Sequence, residues 1–329
     1  MTHSLAGKTV FITGALGFIG RALLQRCRAL GAEVRGLDFQ AQPELGVVAG
    51  DLTRPGDWCD ALRGADLVVH TAAIVSNTAP ADVAWRVNVK ATADLLQCCV
   101  DAGVGRFIQL SSVAVYGFEF TQTARESDPL RTNGNTYVDT KIASEHRVLA
   151  CHGAGEMDCV IVRPGDVYGP GSRPWVILPL QMLRKRQFIL PAHGRGVFSP
   201  VYIDDLLDGI GLCATSEQAP GRIFNISGGI EPTCAEFFGY HAAMASLPPP
   251  RQIATGAAMA FATLGGGLLR ALGRDSELGR GTIGMLSRRA GYSIEQARSV
   301  LGYSPAVGLE EGMARTSAWA RQEGLLDAR

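Results

Sequence analysis

A tyrosine and a lysine four residues apart are the residues of this sequence best suited to moving a proton. Tyr137 and Lys141 lie in the helix-like segment TYVDTKIASEHRVL, so both side chains project from one face about one turn apart. An ammonium there lowers the pKa of a phenol and makes it usable as an acid or base near neutral pH. Upstream, a strand-like run ends in Ser111 and Ser112. The pattern predicts acid-base chemistry, although a tyrosine and lysine at this spacing also recur by chance.

A glycine-rich turn near the N-terminus supplies a second, independent signal. In VFITGALGFIG, Gly14, Gly17 and Gly20 follow an apolar run and open a helix-like stretch, and the next strand-like run, EVRGLD, ends in Asp38. Glycines let the backbone approach a pyrophosphate at a helix N-terminus, and the acid accepts hydrogen bonds from an adenosine ribose. This order predicts a dinucleotide site. Because an acid at that position repels a 2′-phosphate, Asp38 favours NAD over NADP.

The elements that must position these residues alternate between strand-like and helix-like runs through the first half of the chain. The strand-like runs KTVFIT, EVRGLD, DLVVHTAA, RFIQLSS and DCVIVRP are continuously apolar, as expected for strands buried on both faces. We therefore predict an α/β fold, a Rossmann-type doubly wound parallel sheet, with a smaller interleaved C-terminal substrate lobe. The expected division is a core over 1–165 and a lobe over 166–329, with segments near 197–226 returning to the core.

An uncharged run of 17 residues, 253–269, lies within that lobe and holds Gly256 and the triplet Gly265 to Gly267. The triplet is expected to fray any helix there. The run is interpreted as a pocket wall or flexible lid, with contact to a membrane surface as the alternative.

Composition excludes several classes of partner. The 31 basic and 31 acidic side chains balance, which argues against nucleic acid and favours a small molecule. No secretory signal or spanning segment is visible, so a cytoplasmic location is expected. The eight cysteines show no zinc-like spacing, and we expect reduced thiols with no metal and no disulfide framework.

Together these motifs resemble the extended short-chain dehydrogenase/reductases of the NAD-dependent epimerase/dehydratase superfamily. The resemblance rests on GALGFIG, GDLT, HTAA, RVNVKAT, SSVAVYG, YVDTK and RPGDVYGP in that order, and extends from about residue 8 to LGYSPAVGLEEGMARTSAW. It implies that Ser112, rather than Ser111, is the catalytic serine. It further implies that Tyr137 is the acid/base and that Lys141 is its partner and a ligand of the cofactor ribose.

The resemblance also implies further contacts with NAD. Phe18 and Ile19 would approach the pyrophosphate, Asp51 and Leu52 would flank the adenine, and the remaining expected contacts are Ala72, Ala73, Asn88 and Pro164. His70 would be a structural residue at a strand end. A homodimer is expected from the helices that carry Asn88 and Tyr137.

Two differences from the nucleotide-sugar enzymes of this superfamily bear on the identity of the substrate. Nucleotide-sugar enzymes of this superfamily usually carry Asn where this chain has Asp166, and the segment with Arg195 lacks their usual Arg-Asp pair. HTAAIVSN, RPGDVYGPGSR and SPVYIDDL more resemble the 3β-hydroxysteroid dehydrogenase-like branch, which implies a secondary alcohol and ketone on an apolar, steroid-like or lipid-like substrate. Alternatives are a nucleotide-sugar 4-epimerase or dehydratase with tightly bound NAD, and a catalytically silent dinucleotide sensor. The basic run at 184–186 is interpreted as a solvated helix face.

Overall fold

A parallel sheet of seven strands forms the centre of the molecule. The structure, a computed structural model, describes residues 4–271 and 279–326. The strands of the sheet are β1 (Thr9–Thr13), β2 (Glu33–Asp38), β3 (Val47–Ala49), β4 (Leu67–His70), β5 (Arg106–Leu110), β6 (Asp158–Pro164) and β10 (Ile223–Ile226). Their order across the sheet is β10-β6-β5-β4-β1-β2-β3. The predicted α/β class with a doubly wound parallel sheet is confirmed.

Helices cover both faces of the sheet and build the second lobe. They are α1 (Phe18–Ala29), α2 (Ala81–Trp85), α3 (Ala91–Asp101), α4 (Thr136–Gly153), α5 (Leu178–Arg184), α6 (Ile203–Thr215), α7 (Cys234–Ala245), α8 (Thr255–Ala271), α9 (Arg280–Met285), α10 (Glu295–Leu301) and α11 (Leu309–Gln322). A π-helical stretch, Arg86–Lys90, joins α2 to α3, and short 3-10 turns include Asp57–Leu62 and Val113–Tyr116. Short strand pairs join β7 (Asp166–Tyr168) to β9 (Pro200–Tyr202) and β8 (Ile189–Leu190) to β11 (Arg251–Gln252).

The strand order creates a crevice between β1 and β4. From β1 the chain proceeds outward to β2 and β3, then crosses back to β4 on the other side of β1. At such a switch point the loops after the two strands diverge to opposite faces and leave room for a ligand at the carboxyl edge. The glycine-rich loop after β1 and the segment after β4 border this crevice.

Successive residues of a strand pack on opposite faces of the sheet, which explains the continuous apolar runs. Val10 and Ile12 of β1 belong to the core shared with α1 and α6. Phe11, between them, packs in the core shared with α3 and α4. The sheet therefore has two apolar cores and holds its carboxyl edge rigidly.

The expectation that the glycine triplet would fray a helix was wrong. Helix α8 continues through Gly265–Gly267 to Ala271, past the end of the uncharged run at 269. Glycine costs about 1 kcal/mol per residue in a helix. Packing of Ala258 and Ala262 against Ile283 offsets that cost. Within the described chain, no helix is long and apolar enough to span a bilayer, and no cluster of His, Cys, Asp and Glu is arranged to bind a metal.

Candidate active site

The turn after β1 requires glycine at two positions. Gly14 has φ +65°, and a Cβ there would lie 2.9 Å from the backbone of Ala72. A Cβ on Gly20 would lie 2.1 Å from the carbonyl oxygen of Gly14, well inside van der Waals contact. The turn is therefore tight, and it lies against the segment that follows β4.

This turn has the chemistry of a pyrophosphate cradle. Helix α1 begins at Phe18, and its N-cap Gly17 provides no side-chain bond to the first amides. These amides and the positive end of the helix are available to an anion, which NAD supplies as its pyrophosphate. The residues that would hold this group are those of the turn with Phe18 and Ile19, and the Cβ clearances fit a ligand close to the backbone.

Asp38 is fixed at the end of β2, beside the turn. Its Oδ2 accepts a hydrogen bond from the amide of Leu16 at 2.8 Å, and its Oδ1 accepts one from the amide of Phe39 at 2.7 Å. Each carboxylate oxygen retains acceptor capacity, because an ionised carboxylate offers about four lone-pair sites. The geometry thus holds an acceptor where a ribose of NAD bound in the turn would lie.

The segment expected near the adenine is ordered by its own side chains. Oδ1 of Asp51 accepts from the amide and the hydroxyl of Thr53 at 2.9 and 2.8 Å, and these bonds hold the pKa of the carboxyl below its usual value. The indole of Trp58 donates to the carbonyls of Asp51 and Arg54 at 3.2 and 3.0 Å. Leu52 is buried. The loop is preformed.

Asn88 holds the segment after β4 against the helix of the tyrosine. Its Oδ1 accepts from the amide of Ile74 at 2.8 Å, while its Nδ2 donates to the Ile74 carbonyl and to the Thr140 hydroxyl, both at 3.0 Å. This clamp fixes Ala72 and Ala73 beside the glycine turn. Direct contact of Asn88 with a cofactor stays a prediction.

His70 is buried at the end of β4 between two threonines. The Thr92 hydroxyl donates to the Asn88 carbonyl at 2.8 Å, so it accepts from His70 Nε2, 3.0 Å away. Nδ1 of His70 then accepts from the hydroxyl of Thr13 at 2.6 Å. Burial lowers the pKa of His70 to about 3, and the charge of Lys141 adds to this effect. This neutral, saturated imidazole has the structural role expected of it.

Helix α4 positions the tyrosine and lysine. The side chain of Asn135 caps the helix by accepting from the amides of Tyr137 and Val138 at 3.0 and 3.2 Å, which fixes Tyr137 in the first turn. Ser112 caps the adjacent 3-10 turn by accepting from the amide of Ala114 at 3.1 Å, and its side chain lies close enough to the Tyr137 phenol to lower the pKa of that group. The structure thus brings Ser112 and Tyr137 together at the carboxyl edge of the sheet.

Burial, rather than the lysine, sets the acidity of the phenol. Desolvation raises the pKa of Tyr137; the hydrogen bond from Ser112 opposes this rise, and the charge of Asp166 adds to it. The expected lowering by Lys141 was therefore wrong, because the lysine ammonium is directed to the Leu110 carbonyl at 2.8 Å. Burial lowers the pKa of Lys141 itself to about 8, although the charge of Glu145 opposes that change.

A buried ion pair that the motifs did not reveal lies behind the lysine. Glu145, one turn after Lys141, accepts from Nε and Nη2 of Arg163 at 2.9 and 2.6 Å and from the hydroxyl of Ser111 at 2.5 Å. Arg163 also donates to the phenol oxygen of Tyr116 at 2.7 Å. The Ser111 hydroxyl therefore donates to Glu145 rather than to Tyr137. The i, i+4 spacing of Lys141 and Glu145 was the available signal in the sequence.

A second buried pair joins the two lobes at the site. Asp166 follows β6 and Pro164, and its carboxylate accepts from Nη2 of Arg288 and, at 3.1 Å, from the amide of Ser199. Nη1 of Arg288 donates to the Tyr292 hydroxyl at 3.1 Å. Arg288 is 2% exposed. No local pattern in the sequence connects these residues. Arg195 and the basic run at 184–186 are exposed.

Comparison with known proteins agrees with this geometry. Residues 10–227 match the model of the NAD dependent epimerase/dehydratase family. The chain is 29% identical to a 2-alkyl-3-oxoalkanoate reductase of Shewanella oneidensis, covering 96% of this chain and 87% of the relative. It is 28% identical to a 3-beta-hydroxysteroid dehydrogenase of Mycolicibacterium neoaurum, covering 93% and 89%. A solved dTDP-glucose 4,6-dehydratase of Streptomyces venezuelae, with NAD bound, superposes with a TM-score of 0.78 at 28% identity, covering 97% and 99%.

The fold and site define a dinucleotide-binding α/β protein with a serine, tyrosine and lysine at the carboxyl edge of its sheet. The chain belongs to the NAD dependent epimerase/dehydratase family, and its cofactor is NAD. The relatives include reductases, dehydrogenases and dehydratases, so family membership leaves the substrate class open.

Proposed function

We propose that the protein is an NAD-dependent oxidoreductase that interconverts a secondary alcohol and a ketone on an apolar, steroid-like or lipid-like substrate. The observation that carries the proposal is the position of Ser112 beside the Tyr137 phenol, whose pKa its side chain lowers, with Lys141 one helical turn away. A phenol and a hydroxyl directed to one point suit a single reacting oxygen. NAD supplies the hydride acceptor in one direction and, when reduced, the donor in the other.

Each of the three side chains has a separate role in the proposed reaction. Because its pKa is raised, Tyr137 is protonated at neutral pH and donates this proton to the carbonyl oxygen during reduction. During oxidation it takes the hydroxyl proton back. Ser112 donates a hydrogen bond to the same oxygen and fixes its position. Lys141, with a pKa of about 8, is mostly charged at pH 7, and its role in the proposal is to donate hydrogen bonds to the cofactor ribose.

The surroundings of Tyr137 support an apolar substrate. Tyr137, Phe118 and Phe120 all pack against one buried apolar cluster that includes Val138 and Tyr292, and all three are partly exposed. The ring of Phe120 lies 5.4 Å from that of Tyr292, centroid to centroid. The nearby cation, Arg288, is neutralised by Asp166 and so is poorly suited to a diphosphate. Aromatic faces beside the acid favour a carbonyl on a hydrocarbon framework.

Replacing Tyr137 with Phe tests the assignment of the acid. The variant retains the ring and its packing but loses the proton, so kcat for a confirmed substrate should fall by at least about 100-fold, with NAD affinity within about threefold of wild type. Steady-state kinetics and NADH titration by fluorescence measure the two quantities. Wild-type turnover by the Phe variant would contradict the role of Tyr137.

The substrate class is tested with a panel of secondary alcohols and ketones of steroid and long-chain type, run beside UDP- and dTDP-sugars. Net NADH formation or consumption with the apolar compounds is expected. Conversion of a nucleotide sugar without net NADH release would instead favour the epimerase or dehydratase alternative. Cofactor binding without turnover of either class would favour a sensor.

We also infer that NAD is preferred over NADP and that two chains associate. Asp38 supports the preference, because its fixed carboxylate would repel a 2′-phosphate. Val83 and Trp85 on α2 support association: their side chains are 37% and 44% exposed, beside a groove lined by Val89, Ala93 and Arg147. Exposed aromatic surface of this kind is typical of interfaces.

A further inference from the structure

Two cysteine sulfurs lie in contact on the α3 side of the sheet. Sγ of Cys59, in the 3-10 turn Asp57–Leu62, is 2.6 Å from Sγ of Cys98 in α3. A disulfide bond is about 2.05 Å long, so the two sulfurs need to approach by only about half an ångström to be joined. Both residues are partly exposed, whereas the other six cysteines are buried.

We propose that Cys59 and Cys98 form a reversible disulfide, a thiol modification site that is separate from the proposed catalytic site. With hydrogen peroxide as oxidant, the thiolate of Cys59 attacks one peroxide oxygen, giving a sulfenic acid and hydroxide. The thiol of Cys98 then attacks the sulfenic sulfur; the S–S bond forms, and the hydroxyl leaves as water with the thiol proton. Two electrons pass from the two sulfurs to the peroxide, and a dithiol reductant reverses the change.

The surroundings distinguish the two sulfurs. Burial and the neighbouring Cys59 raise the pKa of Cys98 to about 12, so this sulfur stays a thiol at neutral pH and acts second. Cys99, Cys151 and Cys159 lie nearby, but each is buried, and burial raises their pKa values. Access to peroxide therefore selects the pair Cys59 and Cys98 over these neighbours.

The bond would connect the adenine side of the cofactor cleft to α3. Trp58, next to Cys59, donates its indole proton to the carbonyls of Asp51 and Arg54 in the segment expected near the adenine. Since the sulfurs are already in contact, we expect the bond to preserve this segment, raise Tm by several degrees and change NAD affinity by less than about threefold. The closed loop spans 39 positions, long enough for a measurable gain in stability.

The test uses the full chain, reduced and then titrated with hydrogen peroxide. Thiols are counted with a chromogenic disulfide reagent, and peptides are mapped by mass spectrometry. Two thiols should be lost, a peptide pair joining Cys59 to Cys98 should appear, and dithiothreitol should restore both thiols. Cys59→Ser and Cys98→Ser should each abolish the linked peptide. Cys99→Ala, the matched control on the adjacent residue, should retain it.

Three results would overturn the proposal. One is that all eight thiols persist at peroxide concentrations that oxidise a small-molecule thiol. Another is a bond mapped to Cys151 and Cys159, or between two chains. The third is irreversible oxidation of Cys59 in the wild type without linkage. None of these readouts depends on the substrate or on turnover, so failure here and failure of the proposed function are distinguishable.

Discussion

The ammonium group of Lys141 is buried, where a charged group costs free energy of folding. The side chain is 4% exposed and donates to one carbonyl, that of Leu110, while Glu145, one turn further along α4, is already paired with Arg163. The pKa of the lysine is lowered because the cost of burying its charge is greater than the attraction of Glu145. Retaining such a residue is understandable if the charge serves the reaction, since active sites commonly hold groups that reduce stability.

Replacing Lys141 with Met should therefore stabilise the protein at neutral pH while it abolishes turnover. A pKa lowered from 10.5 to about 8 disfavours folding below pH 8 by about 3 kcal/mol, and the effect vanishes above pH 10.5, where both states carry a neutral lysine. After loss of the Leu110 bond, we expect a gain of about 1–2 kcal/mol at pH 7. Urea unfolding at pH 7 and pH 10 measures it; a variant less stable than wild type at pH 7 would contradict this explanation.

Asp38 is the residue on which we expect the choice between NAD and NADP to depend. Asp38→Ala removes the ribose acceptor and the repulsion of a 2′-phosphate, so KM for NADH should rise at least about tenfold while KM for NADPH falls or stays constant. The variant also loses the bond to the amide of Leu16. Asp38→Asn, which keeps an acceptor there, is the matched control and should retain more NADH affinity. Tighter binding of NADPH than NADH by the wild type would refute the assignment.

At the scale of elements, α4 is held at each of its first three turns. Asn135 caps the first turn, Asn88 bonds Thr140 in the second, and the pair of Glu145 and Arg163 anchors the third to β6. Tyr137 and Lys141 lie between these contacts, so neither their separation nor their height above the sheet can vary much. This rigidity positions the phenol and the ammonium before any ligand arrives.

The strands and the glycine turn were predictable because their signals are local. A buried parallel strand is a short apolar run, and a Cβ at Gly14 or Gly20 would collide with backbone atoms of the turn or its neighbour. The pairing of Asp166 with Arg288 was not predictable, because the residues are 122 positions apart and meet only through the fold. Helix α8 was missed since its stability comes from packing against α9, which outweighs poor intrinsic propensity.

Helix α2 gives a prediction at the same scale. If its exposed Trp85 lies in a homodimer interface, the wild type should sediment at about twice 34.9 kDa, and Trp85→Glu should sediment as a monomer at micromolar concentration. Phe261→Glu on α8, which also places a charge at an exposed aromatic position, is the control and should stay dimeric. A monomeric wild type in analytical ultracentrifugation would exclude the interface.

At the scale of the whole molecule, the two lobes are interleaved. Strand β10 reaches the sheet from the second half of the chain and pairs with β6. Asn225 of β10 accepts from the Tyr116 phenol at 2.8 Å and donates to the carbonyl of Ser293 at 3.1 Å. Beside it, the backbones of Ala124 and Ser293 are joined by a hydrogen bond of 2.8 Å. We expect the lobes to unfold in one cooperative transition, because separating them breaks buried polar contacts.

The pair of Asp166 and Arg288 is the most vulnerable of these connections. Arg288→Met leaves the Asp166 carboxylate buried without its cation, and we expect a loss of about 3–5 kcal/mol in the free energy of unfolding, measured in urea. Asp166→Leu should cost a similar amount, because it leaves the guanidinium unpaired.

The double variant should recover much of the lost stability, because two apolar side chains pack together and leave no unpaired charge in the interior. Arg289→Met, at the exposed neighbouring position, is the control and should change stability by less than about 0.5 kcal/mol. Additive losses in the double variant would mean that the two charges stabilise separate parts of the molecule. A coupling energy of several kcal/mol would instead show that one ion pair joins the C-terminal lobe to the strand end beside Tyr137.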